Sequence, residues 1–107
     1  TQRDYSHIDD IVGGLLSSLV RPPGLAIFNL GGSQTTTLID LVHWIAEALG
    51  VEARVEIFPE QPGDVPITFA DVSKASRMLG YAPQVPIREG LRRVAAWYRS
   101  RASADSR

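Results

Sequence analysis

The six residues Gln61-Pro62-Gly63-Asp64-Val65-Pro66 decide how the rest of the chain is interpreted. Each proline fixes one backbone torsion, and the glycine between them can adopt a φ that other residues avoid. We therefore predict a stiff loop that presents the Asp64 carboxylate and the Gln61 amide. A rigid polar loop between packed elements can hold a polar ligand. It can also be a plain connection between a strand and a helix, and the residue types alone favour this second interpretation because such turn chemistry is common.

The composition is that of an ordinary globular domain. The chain has 107 residues, of which 44% are hydrophobic and 21% are charged, and this length predicts a single domain. Its formal charge of −1 gives no basic surface for nucleic acid or an anionic membrane, and no apolar run approaches the roughly 18 residues of a membrane helix. Cysteine is absent, so no disulfide forms, which is compatible with the cytoplasmic location that we expect.

Two helical patterns precede the loop. Apolar residues at helical spacing from Ile8 to Leu19 predict a first helix, and the adjacent pair Gly13-Gly14 inside it indicates close approach by a neighbouring element. A second helix is predicted over Leu38–Leu49, where Thr37 and Asp40 form a capping box and Gly50 follows the last turn.

Two further helices follow the loop. The first is predicted from a cap at Asp71 to Leu79, and the last begins at Pro86, a residue suited to a first helical turn. Five arginines lie on the last helix and could form a phosphate-binding patch, but a solvated outer face is favoured because their charges spread around the helix. These are Arg88, Arg92, Arg93, Arg99 and Arg101, opposite an inward face of Ile87, Leu91, Val94, Ala95 and Tyr98.

Apolar and alternating runs predict two main strands, Leu25–Leu30 and Arg54–Phe58, with brief pairing at Ile67–Phe69. The helix between the two main strands would form a crossover, so we expect them to be parallel. The predicted fold is α/β, with about four helices around a small, mostly parallel sheet. The pair Gly31-Gly32 is not a dinucleotide loop, because no third glycine follows at the required offset.

Several separated motifs together resemble the C-terminal part of the extended short-chain dehydrogenase/reductases that act on nucleotide sugars. Within that superfamily the sequence looks most like the UDP-glucuronate 4-epimerases. The similarity covers nearly the whole chain. Its motifs are Arg3-Asp4-Tyr5 with Asp10, Asn29-Leu30-Gly31, the run Q-P-G-D-V-P…A-D-V-S-K-A…L-G-Y…P from Gln61 to Pro83, and Gly90-Leu91-Arg92 with Trp97-Tyr98.

The resemblance implies a chemistry that these residues alone do not supply. Epimerases of this superfamily use bound NAD and a tyrosine base followed four residues later by a lysine. The residues four positions after Tyr5, Tyr81 and Tyr98 are Asp9, Val85 and Ala102, and none is lysine. We therefore expect residues 1–101 to be a substrate-binding lobe that lacks the N-terminal Rossmann domain, and residues 102–107 to be a frayed tail. No catalytic, cofactor-binding or metal-binding residue is predicted in the chain, and NAD is implied for the full-length parent only.

Three residues carry the binding role that the resemblance implies. Arg3 matches the arginine that holds the nucleotide diphosphate, and Asp64 matches the carboxylate that accepts from the ribose hydroxyls. Gln61 matches a position that is glutamine in the glucuronate epimerases and arginine in the galactose ones. The alternatives are that Arg3 pairs with Asp4 or Asp10, and that Asp64 only caps its own turn.

Two functional hypotheses remain open from the sequence. The first is the lobe of an NAD-dependent UDP-sugar epimerase, with related dehydratases and decarboxylases as near neighbours. The second is a free-standing, non-catalytic binding or interaction module. For the first we expect no nucleic-acid or membrane partner. We also expect a monomer, or a non-native dimer through the apolar surface near Ile8 and Gly13-Gly14.

Overall fold

The computed structural model describes residues 1–20 and 24–105. These residues form two short strands and four helices. They are β1 (Gln2–Arg3), α1 (Ile8–Val20), β2 (Thr36–Thr37), α2 (Leu38–Leu49), α3 (Ser73–Leu79) and α4 (Ile87–Asp105).

The second helix has the limits that its end signals predict. Thr37 Oγ1 accepts a hydrogen bond from the Asp40 amide at 3.2 Å. At the other end Gly50 has a φ of 68°, and the amides of Gly50 and Val51 donate to the last carbonyls of α2. This left-handed turn is the usual glycine stop for a helix. The helix prediction over Leu38–Leu49 is therefore confirmed.

The remaining helices lie where they are predicted apart from their ends, but Val94 and Tyr98 of the predicted inward face of α4 are exposed. Helix α3 begins at Ser73 and not at Asp71, because the Asp71 carboxylate accepts from the Ser73 amide and hydroxyl in the turn just before the helix. Those hydrogen bonds lower the pKa of Asp71. Helix α4 continues to Asp105, within the segment 102–107 for which we expect fraying. Fraying itself stays a prediction.

The predicted parallel sheet is not formed by the described residues. Neither Leu25–Leu30 nor Arg54–Phe58 is a strand, and the observed sheet consists of β1 and β2 in antiparallel pairing. Within residues 1–20 and 24–105, parallel pairing is limited to one bridge, between Gln2 and Ile67. Alternating side chains show that a segment can pair, but a strand also needs a neighbouring backbone, and residues 51–60 are all exposed. The α/β class fits, whereas the sheet assignment was wrong for both main strands.

The buried core is small and lies under α3. Ala75, Leu79 and Tyr81 are buried together, with Phe28, Leu30 and Val72 packed against them. The chain measures 49 × 40 × 19 Å, and its radius of gyration of 17.1 Å exceeds the roughly 13 Å expected of a compact chain of this length. Its accessible surface of 8232 Å² likewise exceeds the value of about 5,900 Å² expected for its mass. The structure is a thin layer with an unusually large exposed surface.

Much of that extra surface is apolar. On α1 the exposed apolar side chains include Leu16, Leu19 and Val20, and further along the chain they include Ile27 and Ile57. No helix among the described residues is long and apolar enough to cross a membrane.

Candidate functional site

The loop Gln61–Pro66 forms the predicted rigid turn. The Asp64 amide donates to the Gln61 carbonyl at 3.2 Å, and Gly63 between them has a φ of +90°. A proline at the second position and a glycine with positive φ at the third are typical of a type II turn. The turn places the side chains of Gln61 and Asp64 in solvent, and in the part of the chain that the structure describes neither side chain has a hydrogen-bond partner. The alternative in which Asp64 caps its own turn is therefore not observed.

Backbone pairing brings Arg3 next to this loop. The Gln2 amide donates to the Pro66 carbonyl at 2.8 Å, and the Thr68 amide donates to the Gln2 carbonyl at 3.0 Å. Since β1 also pairs with β2, the first residues of the chain lie between β2 and the end of the loop. Arg3 is the residue after Gln2, so the structure positions it beside the segment that follows Asp64.

In the part of the chain that the structure describes, the guanidinium of Arg3 is not held by a carboxylate. Its Nη1 donates to the Gln2 carbonyl at 2.9 Å, and the side chain is half-buried. Within residues 1–20 and 24–105 no ion pair joins Arg3 to Asp4 or Asp10, so that alternative is also not observed. A guanidinium has five N–H donors, and among the described residues the one hydrogen bond of the Arg3 guanidinium is that to Gln2.

Asp4 has a different role, which was not predicted. Its carboxylate accepts from the backbone amides of Gly32, Ser33 and Ala70 at 2.9, 3.0 and 3.2 Å. A Cβ on Gly31 would lie 2.6 Å from the Ala70 Cβ, and one on Gly32 would lie 2.8 Å from Asp4 Oδ1. The glycine pair thus allows the carboxylate and two chain segments to approach closely.

Asp10 and Tyr81 connect α1 to the second half of the chain in a similar way. The buried Asp10 carboxylate accepts from the amides of Gln84 and Val85 at 2.7 and 3.1 Å. The Tyr81 hydroxyl donates to the Gly31 carbonyl at 2.6 Å. Burial raises the pKa of Tyr81, and the nearby Asp10 carboxylate adds to this effect. Both residues are therefore engaged in holding the fold together.

The turn at Gly31-Gly32 has two of its amides bonded within the fold. Backbone amides in a glycine turn can bind a phosphate, but the Asp4 carboxylate already accepts from those of Gly32 and Ser33. No three side chains among His, Cys, Asp and Glu in the described ranges are grouped so that they could hold a metal ion. His43 in particular is exposed.

Sequence comparison identifies relatives over most of this chain. It is 41% identical over 96 residues to a UDP-glucuronate 4-epimerase of Thermodesulfobacterium geofontis, and this match covers 89% of this chain and 29% of the relative. It is 39% identical over 97 residues to an uncharacterized protein of Methanocaldococcus jannaschii, and this match covers 91% of this chain and 30% of the relative. No family model matches the chain.

Solved structures show the same similarity. The chain superposes on a UDP-glucose 4-epimerase of Thermotoga maritima, solved with UDP-glucose, with a TM-score of 0.87 and 30% identity over 94% of this chain and 32% of the other. It superposes on a UDP-glucuronic acid 4-epimerase of Bacillus cereus, solved with a fluorinated UDP-sugar and NAD, with a TM-score of 0.83 and 28% identity. That match covers 92% of this chain and 32% of the other.

These similarities first define a class: the chain is homologous to part of the nucleotide-sugar epimerases of the extended short-chain dehydrogenase/reductase type. More particularly, its relatives include UDP-glucuronate 4-epimerases and UDP-glucose 4-epimerases. The resemblance inferred from the sequence motifs is thus confirmed. The chain spans about 30% of the length of the relatives that it matches.

Proposed function

We propose that this chain is the substrate-binding lobe of an NAD-dependent nucleotide-sugar 4-epimerase with a UDP-glucuronate-like substrate. In this lobe Arg3 binds the diphosphate, Asp64 accepts hydrogen bonds from the ribose hydroxyls, and Gln61 lies close to the diphosphate without adding a positive charge. NAD and the catalytic residues belong to the rest of the parent enzyme, which we place in the cytoplasm.

The observation that carries the proposal is the pairing of Gln2 with the end of the loop. Because Gln2 pairs with the end of the loop, its neighbour Arg3 lies beside a rigid turn. The side-chain amide of Gln61 and the carboxylate of Asp64 on this turn lack hydrogen-bond partners in the described part of the chain. A guanidinium suits a diphosphate because it can donate two parallel, charge-assisted hydrogen bonds. A carboxylate suits the hydroxyls of a ribose because it only accepts.

The thin shape supports a lobe that functions beside another domain. Leu25–Leu30 and Arg54–Phe58 have strand-like sequences, yet they lack backbone partners among the described residues. Apolar surface is also exposed along α1. A neighbouring domain would supply both the missing strand partners and an apolar contact surface.

The proposal is tested first on the gene. An open reading frame that extends upstream of Thr1 and contains G-x-x-G-x-x-G and Tyr-x-x-x-Lys would support it. A start codon close to residue 1 would contradict it and favour a free-standing binding module.

The whole gene product then tests the residues. Arg3→Gln and Asp64→Asn should each raise the KM for UDP-glucuronate about tenfold or more, because each removes charge-assisted hydrogen bonds to the nucleotide. Arg77→Gln, an exposed arginine on α3, is the matched control and should leave the KM unchanged. A KM that Arg3→Gln and Asp64→Asn do not change would contradict the assigned roles.

The 107-residue chain alone should bind UDP-glucuronate only weakly. Two or three charged hydrogen bonds of about 1.5–3 kcal/mol each compete with an association cost of about 4–15 kcal/mol. We expect a dissociation constant above about 1 mM in isothermal titration, and no binding of NAD. Micromolar binding of either ligand would mean that these residues form a complete pocket by themselves.

A further inference from the structure

We propose that a pocket between α2 and α4 binds a small phosphorylated anion, at a site that shares no residue with Arg3, Gln61 and Asp64. The pocket has a volume of about 390 Å³. We call it the Trp44 pocket. Its lining consists of Trp44, Glu47 and Ala48 from α2 and Arg88, Arg92 and Arg99 from α4.

The structure divides the arginine run of α4 into two groups. Arg93 pairs with Asp9 and Glu89, and Arg101 lies over the ring of Trp97 at 5.8 Å. The other three arginines line the Trp44 pocket. All five arginines are exposed, as the sequence predicts for a solvated face, and helix packing brings three of them together at the Trp44 pocket.

Each arginine of the pocket is positioned by a contact that uses few of its donors. Arg88 donates to Glu47 at 2.7 Å, and its guanidinium lies 5.5 Å from the centroid of the Trp44 ring. Arg99 donates to the Ala48 carbonyl at 2.7 Å, and Arg92 donates to Glu89 at 2.8 Å. A guanidinium has five N–H groups, so each retains donors for a ligand in the pocket.

The charge of the lining favours an anion. Three guanidinium groups line the pocket with one carboxylate, that of Glu47, and the Glu89 carboxylate pairs with Arg92 from outside the lining. The three positive and two negative charges leave an excess of one positive charge, in a chain whose total formal charge is −1. Arginine is the side chain best suited to phosphate, because its planar donors match two phosphate oxygens at once. The partly paired arginines are also held in place before a ligand arrives, so less side-chain entropy is lost on binding.

The size of the pocket indicates a small molecule. A volume of about 390 Å³ lies within the usual range for small-ligand sites and exceeds the space that a single phosphate fills. A nucleic acid strand would need a line of free basic residues, but Arg93 and Arg101 on either side are engaged elsewhere. The ligand class is therefore a diphosphate or a small phosphorylated metabolite.

Pyrophosphate is the probe for the test, and the two tryptophans supply the signal. Trp44 lines the pocket, whereas Trp97 lies outside it in the adjacent apolar groove. The indole N–H resonances, assigned with the variant Trp97→Phe, are followed while pyrophosphate is added at constant ionic strength. We expect a saturable shift of the Trp44 resonance and no shift of the Trp97 resonance.

Arginine variants identify the groups that bind. Arg92→Gln and Arg99→Gln should each weaken pyrophosphate binding about tenfold or more, since each removes a charge-assisted contact. Among the described residues Arg92 forms its ion pair with Glu89 of the same helix, so its loss leaves the contacts of Arg88 and Arg99 with α2 in place. Arg77→Gln on α3 has the same charge change outside the pocket and should bind pyrophosphate as the unmodified chain does.

Three outcomes would overturn the proposal. They are the absence of a saturable Trp44 shift, equal shifts of both indoles, and equal weakening by Arg77→Gln and Arg92→Gln. Chloride that shifts Trp44 as strongly as pyrophosphate at the same ionic strength would also overturn it. None of these results bears on the proposed epimerase role, which depends on different residues and is measured with UDP-glucuronate.

Discussion

The carboxylates of Asp4 and Asp64 lie near the same short β1 strand but have opposite surroundings. Asp4 accepts three backbone amides from segments 28 to 66 residues away in the sequence. Asp64 lies exposed on a rigid turn, and its carboxylate has no partner in residues 1–20 and 24–105. The first carboxylate is satisfied within the fold, and the second is available to a molecule outside it. We therefore assign a structural role to Asp4 and propose a binding role for Asp64.

The largest expected effect tests this comparison directly. Asp4→Ala should lower the free energy of unfolding by about 3 kcal/mol or more, because three amides lose a charged acceptor in a half-buried place. Asp64→Ala should change it by no more than about 0.5 kcal/mol, as an exposed residue without partners does. Urea denaturation at pH 7 measures both values.

A second, milder Asp4 variant keeps the comparison measurable if Asp4→Ala does not fold. Asp4→Asn keeps the shape and one acceptor oxygen, so its loss of stability should be intermediate. Equal stability of the Asp4 and Asp64 variants would show that the amides around Asp4 contribute little, and the contrast between the two carboxylates would then fail.

The adjacent glycines of α1 give a second, smaller contrast. A Cβ on Gly14 would lie 2.6 and 2.9 Å from the two Leu30 methyl groups and 3.2 Å from the Tyr81 ring, whereas one on Gly13 would have no neighbour within 4 Å. Gly13→Ala should stabilise the chain by up to about 1 kcal/mol through helix propensity. Gly14→Ala should destabilise it by about 1 kcal/mol, since crowding in the core outweighs that gain. Thermal unfolding of both variants checks the opposite signs, and stabilisation by both would mean that Leu30 moves aside freely.

The parts of the fold that sequence predicts well are those with local causes. Helix α2 is specified by Thr37, Gly50 and the apolar spacing between them, all within one segment. The turn at Gly63 is likewise specified by Pro62 at its second position and by Gly63 itself at its third. The strand predictions for Leu25–Leu30 and Arg54–Phe58 depend on a pairing partner, which their own sequences cannot supply.

The same distinction applies to the candidate sites. The sequence identified Arg3, Gln61 and Asp64 by resemblance, and the structure adds the pairing of Gln2 that joins the arginine to the loop. The three amides of Asp4 come from distant segments, so the local pattern around Asp4 could not indicate them. The Trp44 pocket depends on the packing of α2 against α4, and the spacing of arginines on one helix cannot reveal the tryptophan on another.

The smallest expected effect concerns Tyr81, whose hydroxyl donates to the buried Gly31 carbonyl beside Asp4. Tyr81→Phe removes this hydrogen bond and should lower the free energy of unfolding by about 1 kcal/mol at neutral pH. The size of this loss should depend on pH. Burial and the Asp10 carboxylate raise the pKa of Tyr81 above the ordinary value of 10.0, so above that pH the unfolded chain releases its proton before the folded chain does.

The contribution of Tyr81 is therefore fully present below pH 10 and is lost as the pH rises through its folded pKa. The difference in stability between the unmodified chain and Tyr81→Phe should shrink as the pH is raised from 9 towards 11, measured by urea denaturation at each pH. Tyr98→Phe removes an exposed hydroxyl from α4 and serves as the control, for which the difference should stay small and constant. A difference between the unmodified chain and Tyr81→Phe that does not change over this pH range would contradict the prediction. It would show that the hydrogen bond to Gly31 does not favour the protonated hydroxyl of Tyr81 in the folded chain.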